Sequence, residues 1–158
     1  MAAPTPVPRS TPLGAILKDG FSTKITLTQA PAIVFWEKTV QPPGMDGGEP
    51  IEQTTMHNIA YRTMRSRALK TLTPHTTKAA WDPKLYNQLV PAINREDVIT
   101  ITFPNTSTLC FYGYLQKVEF DQMEEGKQPE CTVTLVPTNY DPVNFVEEAP
   151  VFTLNAGT

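Results

Sequence analysis

"DVITITFPNTSTLCFYGYLQKVEFDQMEEGKQPECTVTLVPT", residues 97–138, is the stretch whose reading decides the fold. In it Val98, Thr100 and Thr102 alternate with Ile99, Ile101 and Phe103, and Thr132 and Thr134 alternate with Val133 and Leu135. A period of two sends each set to its own face, so these are strands with one wet and one dry side. The connections "PNTS" and "DQMEEGKQP" are short and rich in turn residues, which favours antiparallel pairing. Three strands are predicted, Asp97–Phe103, Thr108–Phe120 and Glu130–Thr138, in an antiparallel sheet of a sandwich.

Upstream, "WDPKLYNQLV" (81–90) is a helix start, with Asp82 as N-cap, Pro83 at the first helical position, and Leu85, Leu89 and Trp81 on one face. "FSTKITLTQ" (Phe21–Gln29) alternates Phe21, Thr23, Ile25 and Leu27 against polar neighbours. "AIVFWEKTV" (Ala32–Val40) follows a turn at Ala30-Pro31 and should be its hairpin partner or near neighbour. The Gly/Pro-rich loop "VQPPGMDGGEPIEQTTM" (Val40–Met56) comes next, with Ile51–Met56 as a returning strand. Residues 57–77 have a helix-compatible spacing broken by small and β-branched residues, and their first half takes no assignment. Prolines at 4, 6, 8 and 12 make residues 1–12 an extended arm, and Pro142 and Pro150 mark residues 140–158 as a second. The expectation is one mainly β domain over residues 13–139, with one flanking α-helix and extended terminal arms.

Composition agrees with a single globular domain: 158 residues, of which 40% are apolar and 18% charged. The run Ala30–Trp36 falls far short of the roughly 20 apolar residues that a membrane-spanning helix needs, and the opening "MAAPTPVPRS" has no apolar leader. A soluble protein made in a cytoplasm is expected. A hairpin centred near Glu125 places Cys131 near Glu119 and Cys110 near Tyr140, so two free thiols are expected. Net charge is only −3, but residues 51–100 hold seven basic against four acidic groups and residues 101–158 hold two against eight. Such separation suits a surface that meets its opposite in a neighbouring copy.

Catalytic chemistry finds no local support. Ser10, Ser22, Ser66 and Ser107 lack the glycine frame of a nucleophile elbow, and His57 and His75 lie outside any HExxH arrangement. Cys110 and Cys131 fall inside strand patterns rather than at a helix start. "GMDGGEP" lacks the lysine and following helix of a phosphate loop, and Asp46 with Glu49 lacks the spaced oxygens of a calcium loop. No catalytic, cofactor or metal residue is assigned, and no enzyme is expected. Asn105 in "NTS" is read as a turn residue, not a glycosylation site. The cluster Arg62, Arg65, Arg67 and Lys70 is a partner-facing basic surface in preference to a nucleic-acid reader, because no interleaved aromatics or reading motif accompany it.

The ordered set "PLGAILKDGFSTKITL", "EKTVQPPGMDGGEPIEQTTM", "RTMRSRALKTL", "ITITFPN", "YGYLQKVEF" and "CTVTLVPTNYDP" resembles the tail tube (major tail) proteins of long-tailed bacteriophages, over Pro12 to Pro150. The resemblance implies a β-sandwich or barrel-like domain with one flanking helix, in a virion protein that self-assembles into stacked rings, typically of six, around a hollow tube through which DNA leaves without specific binding. Its partners would be its own copies and other tail proteins. It also implies that the early loop and terminal arms reach neighbouring rings. Pro43, Gly44, Met45, Asp46, Gly47, Gly48 and Glu49 are then the candidate inter-subunit loop, with Met45 as apolar anchor and Asp46 and Glu49 meeting the basic cluster. Glu119, Asp121, Glu124, Glu125 and Glu130 are candidate acidic lumen or contact residues. The alternatives are a tail terminator or joining protein, which forms a single ring, and a monomeric carbohydrate- or protein-binding β-sandwich that uses Tyr112 and Tyr114.

Overall fold

The computed structural model describes residues 20–155, so the expected arm over residues 1–12 lies outside the described residues. In chain order the elements are β1 (Lys24–Leu27), β2 (Trp36–Val40), β3 (Met45–Asp46), β4 (Ile51–Glu52), β5 (Met64–Arg65), β6 (Thr71–Leu72) and β7 (His75–Ala80). A 3-10 turn (Pro83–Leu85) and helix α1 (Tyr86–Ala92) follow. After them come β8 (Glu96–Thr102), β9 (Thr108–Phe120), β10 (Glu130–Pro137), β11 (Tyr140–Asp141), β12 (Val146–Glu147) and β13 (Val151–Thr153). The fold is mainly β, as the alternation in residues 97–138 predicts.

One antiparallel sheet runs β1-β8-β9-β10-β7-β2, and β13 pairs with β9. Ile99 and Ile101 of β8, Phe111 and Leu115 of β9 and Val133 and Leu135 of β10 point inward and are buried together with Ile25, Leu27, Ile33 and Phe35. Threonines of the same strands face outward, apart from Thr134, which is buried. β9 carries an extra residue opposite Thr134/Leu135, a bulge that returns Val118 to the core side and tightens the twist.

β2 is not the hairpin partner of β1. It pairs with β7 at the far end of the sheet, yet the sheet curls until β1 and β2 approach, and the Ile25 N–H donates to Glu37 Oε1 across that seam at 2.8 Å. "Near neighbour" is therefore the correct half of the expectation. The helix start stands as predicted: Asp82 caps Lys84 N at 3.0 Å, Pro83 opens the turn, and Leu85, Leu89 and Ala92 are buried against the sheet. Asn94 N donates to Leu115 O at 2.9 Å, which ties the helix exit to the middle of β9.

Both cysteines are free thiols. Cys131 faces Phe120, next to the expected Glu119, and burial pushes its thiol pKa up. Cys110 does not face Tyr140. β10 leaves the sheet at Pro137, β13 takes its place, and Cys110 lies opposite Val151 with Thr100 Oγ1 at 3.4 Å from its sulfur. The C-terminal segment thus returns to the sheet: β11 and β12 form a small hairpin and β13 an edge strand on β9.

Candidate assembly surface

Between β2 and β7 the chain leaves the sheet for residues 41–74 and comes back as a two-limbed arm. The "PPGMDGGEP" loop is its outgoing limb and the basic cluster its returning limb. Met45 pairs with Leu72 and Asp46 with Thr71; further out, Ile51 pairs with Arg65 and Glu52 with Met64. Gly44 and Thr73 lock the root, with Thr73 N donating to Gly44 O at 2.9 Å and Gly44 N to Thr73 Oγ1 at 3.0 Å. Two short ladders hold the loop, because the Thr-rich returning limb supplies strand partners.

The glycines serve the arm itself. Gly48 has φ 75°, a left-handed conformation that glycine adopts without penalty, and a Cβ there would lie 2.9 Å from Arg67 Cδ and displace that side chain. Arg67 Nε then donates to the Glu49 carbonyl at 2.7 Å, and the Asp46 carboxylate accepts from Gly48 N at 2.8 Å. Arg62 pairs with Glu52 at 3.7 Å. Basic cluster and loop therefore meet within one chain, through the Glu49 carbonyl and Glu52 rather than through the carboxylates of Asp46 and Glu49. On the outgoing limb Pro43 is half-buried, and Gly47 is exposed with open space where a Cβ would stand.

The tip is a compact turn. Thr55 N donates to Asn58 Oδ1 at 2.9 Å, Asn58 Nδ2 to Tyr61 O at 2.8 Å, and Thr63 N to Thr54 Oγ1 at 3.1 Å. Around this polar frame Met56 and Ile59 are fully exposed and Tyr61 and Met64 largely so, and nearer the root Met45 and Leu69 are exposed as well. The apolar tip is what sequence reasoning missed. Its signal is a run with apolar residues and no acid from Gln53 to Trp81, left unassigned because neither a period of two nor of 3.6 fits it.

The candidate acidic residues lie on and beyond the β9–β10 turn, interlaced with lysines. Lys117 pairs with Glu119 at 3.1 Å, Lys78 with Asp121 at 3.5 Å, Lys127 with Glu124, and Lys38 with Glu130. The hydrogen bond from Lys38 holds the Glu130 carboxyl below its ordinary pKa. Glu125 is in the exposed turn and makes no ion pair among the described residues. This surface is nearly balanced in charge.

Unpaired acid sits instead on the C-terminal hairpin, where Glu147 and Glu148 are exposed beside Val143, Phe145 and Val146. No basic residue follows Lys127. Asp141 organises the hairpin turn by accepting from Val143 N at 2.8 Å, Asn144 N at 3.3 Å and Asn144 Nδ2 at 2.6 Å. Those bonds, Val143 first, lower its pKa, and Tyr112, whose own pKa burial raises, bonds to the same carboxylate. Tyr112 and Tyr114 do lie opposite the buried Phe111, but both are half-buried and Tyr112 is committed to Asp141. A groove of about 320 Å³ separates the arm root at Met45, Leu69 and Lys70 from Glu147, Glu148 and Pro150.

Among the described residues no group of three or more His, Cys, Asp or Glu side chains could hold a metal ion, and no helix is long and apolar enough to cross a membrane.

No protein-family model and no curated protein matches the sequence. Solved structures do match the fold. A chain of the virion of a native gene transfer agent (GTA) particle superposes with a TM-score of 0.61 at 8% identity, over 87% of this chain and 100% of its own. A chain of the anti-feeding prophage (AFP) baseplate, 6-fold symmetrised, gives 0.59 at 10% identity over 92% and 97%. A chain of the tail of an empty GTA particle, refined helically with C6 symmetry, gives 0.58 at 8% identity over 87% and 100%. The chain shares its fold, over most of its length, with components of these assemblies.

Proposed function

We propose that this protein is the structural subunit of a phage-type tail tube, built as stacked six-membered rings around a lumen through which DNA passes unbound. The observation that carries this reading is the arm, an ordered hairpin whose apolar tip is exposed and covered by no other element among the described residues. Exposed apolar surface on an ordered projection is a contact surface in waiting. Its donor and acceptor patches differ, so contact between copies is heterologous: it closes as a ring in the plane and continues open-ended along the axis. The six-fold symmetry of two of the assemblies that share the fold supports rings of six. The role needs no catalysis, and its partners are further copies of the chain and other tail proteins within a virion.

Negative-stain electron microscopy with solution mass tests the reading. The purified protein should form hollow rings or tubes as concentration rises. A variant with residues 47–70 replaced by an Asn-Gly turn, joining β3 directly to β6, should remain a folded monomer or ring. A wild-type protein that stays monomeric at all concentrations, or normal tubes from the armless variant, would overturn it. Rings that never stack would favour a terminator or joining role, a reading kept because the same fold occurs in a baseplate.

A further inference from the structure

Two exposed apolar surfaces of this chain carry opposite charge. The outer arm presents Met56, Ile59 and Tyr61 on the limb that carries Arg65, an exposed arginine that makes no ion pair among the described residues. The stretch from Gln53 to Trp81 contains no acid. The C-terminal hairpin presents Phe145 and Val146 beside Glu147 and Glu148, in a stretch from Gln128 onward that contains no base. The arm cannot satisfy both in its own chain with ease: its limb from Gly44 to Met56 extends up to roughly 40 Å at strand rise, while its root already borders the hairpin.

Phe145 singles out the hairpin as a receptor. Its φ is 57°, in the left-handed region that glycine adopts without penalty, and its N–H donates to Asp141 O at 2.9 Å to close the turn. The residue is 76% exposed, so its side chain contributes little packing among the described residues. A bulky side chain held at a backbone position that favours glycine, with its ring in solvent, is strain retained for a contact made outside the chain.

We propose that the arm tip of one copy docks on the C-terminal hairpin of a second copy. Met56 and Ile59 cover Phe145 and Val146, and Arg65 lies against Glu147 and Glu148. This rests on the tube reading above and names the receptor for its arm. Oppositely charged rims around apolar centres fix the register of such a contact and reject the like-charged pairings of arm with arm or hairpin with hairpin.

Phe145→Gly is the first test, because it relieves backbone strain and leaves a well-folded chain. It should retain or raise Tm while raising the concentration needed for tubes by at least about tenfold. Arg65→Glu and Glu147→Arg should each do the same, and the chain carrying both should return to within about threefold of wild type. Tubes from Phe145→Gly and Glu147→Arg at wild-type concentration would overturn the proposal. A mixture of Ile59→Cys and Phe145→Cys proteins, oxidised and mapped by mass spectrometry, separates it from the tube reading. The 59–145 link with tubes supports both, and the link without tubes supports docking and sinks the tube. Tubes without the link sink the docking alone, and neither product sinks both.

Discussion

The backbone N–H of Ile25 donates to the Glu37 side chain at 2.8 Å across the gap between the two edge strands of the sheet. A carboxylate here does what a ladder would do in a closed barrel, since it gives a half-buried edge donor an acceptor in place of water. Glu37→Ala should cost about 1–3 kcal/mol, the range for stranding such a donor, and lower Tm by several degrees. Glu37→Gln keeps an acceptor oxygen and should lose less. Equal Tm for wild type and Glu37→Ala would show that the seam is held by packing alone.

Gly113 lies on the inner face of β9, where β10 makes its last pairing at Pro137. A Cβ there would stand 2.6 Å from Val136 O and 3.0 Å from Ile99 Cδ1. The carbonyl belongs to backbone and cannot rotate away, so Gly113→Ala must push β10 outward. About 1–3 kcal/mol of destabilisation follows from overpacking of this kind, read as a lower urea midpoint at unchanged slope. An unchanged midpoint would mean that the β9–β10 crossing yields freely.

The strands from Asp97 to Phe120 were legible because each residue's side follows from the pleat: Ile99, Ile101 and Phe111 reveal the dry face without tertiary knowledge. The helix start at Asp82-Pro83 was legible for the same local reason. What stayed hidden depends on distant partners. Trp36–Val40 reads as a strand, but its pairing with β7 rather than β1 is decided by how far the sheet curls. The arm was half-read. Gly44 and Gly48 mark a special loop, yet that Thr73 and Arg67 close it from the other limb is a contact across 29 and 19 residues, which no local period records. Val151–Thr153 looks like a tail because its partner strand, β9, is already complete on the sequence reading; only the departure of β10 at Pro137 opens the place it fills.

Asp141 should make the C-terminal hairpin sensitive to acid. Its pKa is lowered by hydrogen bonds from Val143 and Asn144, so the folded state binds its proton less readily than the unfolded chain. That stabilisation is fully present above the ordinary carboxyl range and is lost as pH falls through the lower folded value. Asp141→Asn should therefore be less stable than wild type at pH 7, with the Tm gap narrowing below about pH 4. A gap independent of pH would assign the loss to the turn's shape and not to its charge.

His75 opens β7 at the root of the arm, buried, with its ring edge-on to Phe111 at 5.6 Å. Neither ring nitrogen has a hydrogen-bond partner among the described residues, so nothing there compensates a proton, and burial lowers its pKa to about 4. The unfolded chain would take up that proton near pH 6.5. Between those values the unfolded state binds more protons than the folded one, so stability rises with pH across the window and falls on acidification. The loss can reach about 1.4 kcal/mol per pH unit. His75→Leu keeps an apolar side chain of similar size and removes the titration. Its Tm should track wild type above pH 7 after a constant offset, then fall less steeply between pH 6.5 and 4. Carboxylates titrate in both proteins and cancel in the difference, so parallel curves across that window would mean that the folded chain admits the imidazolium without cost.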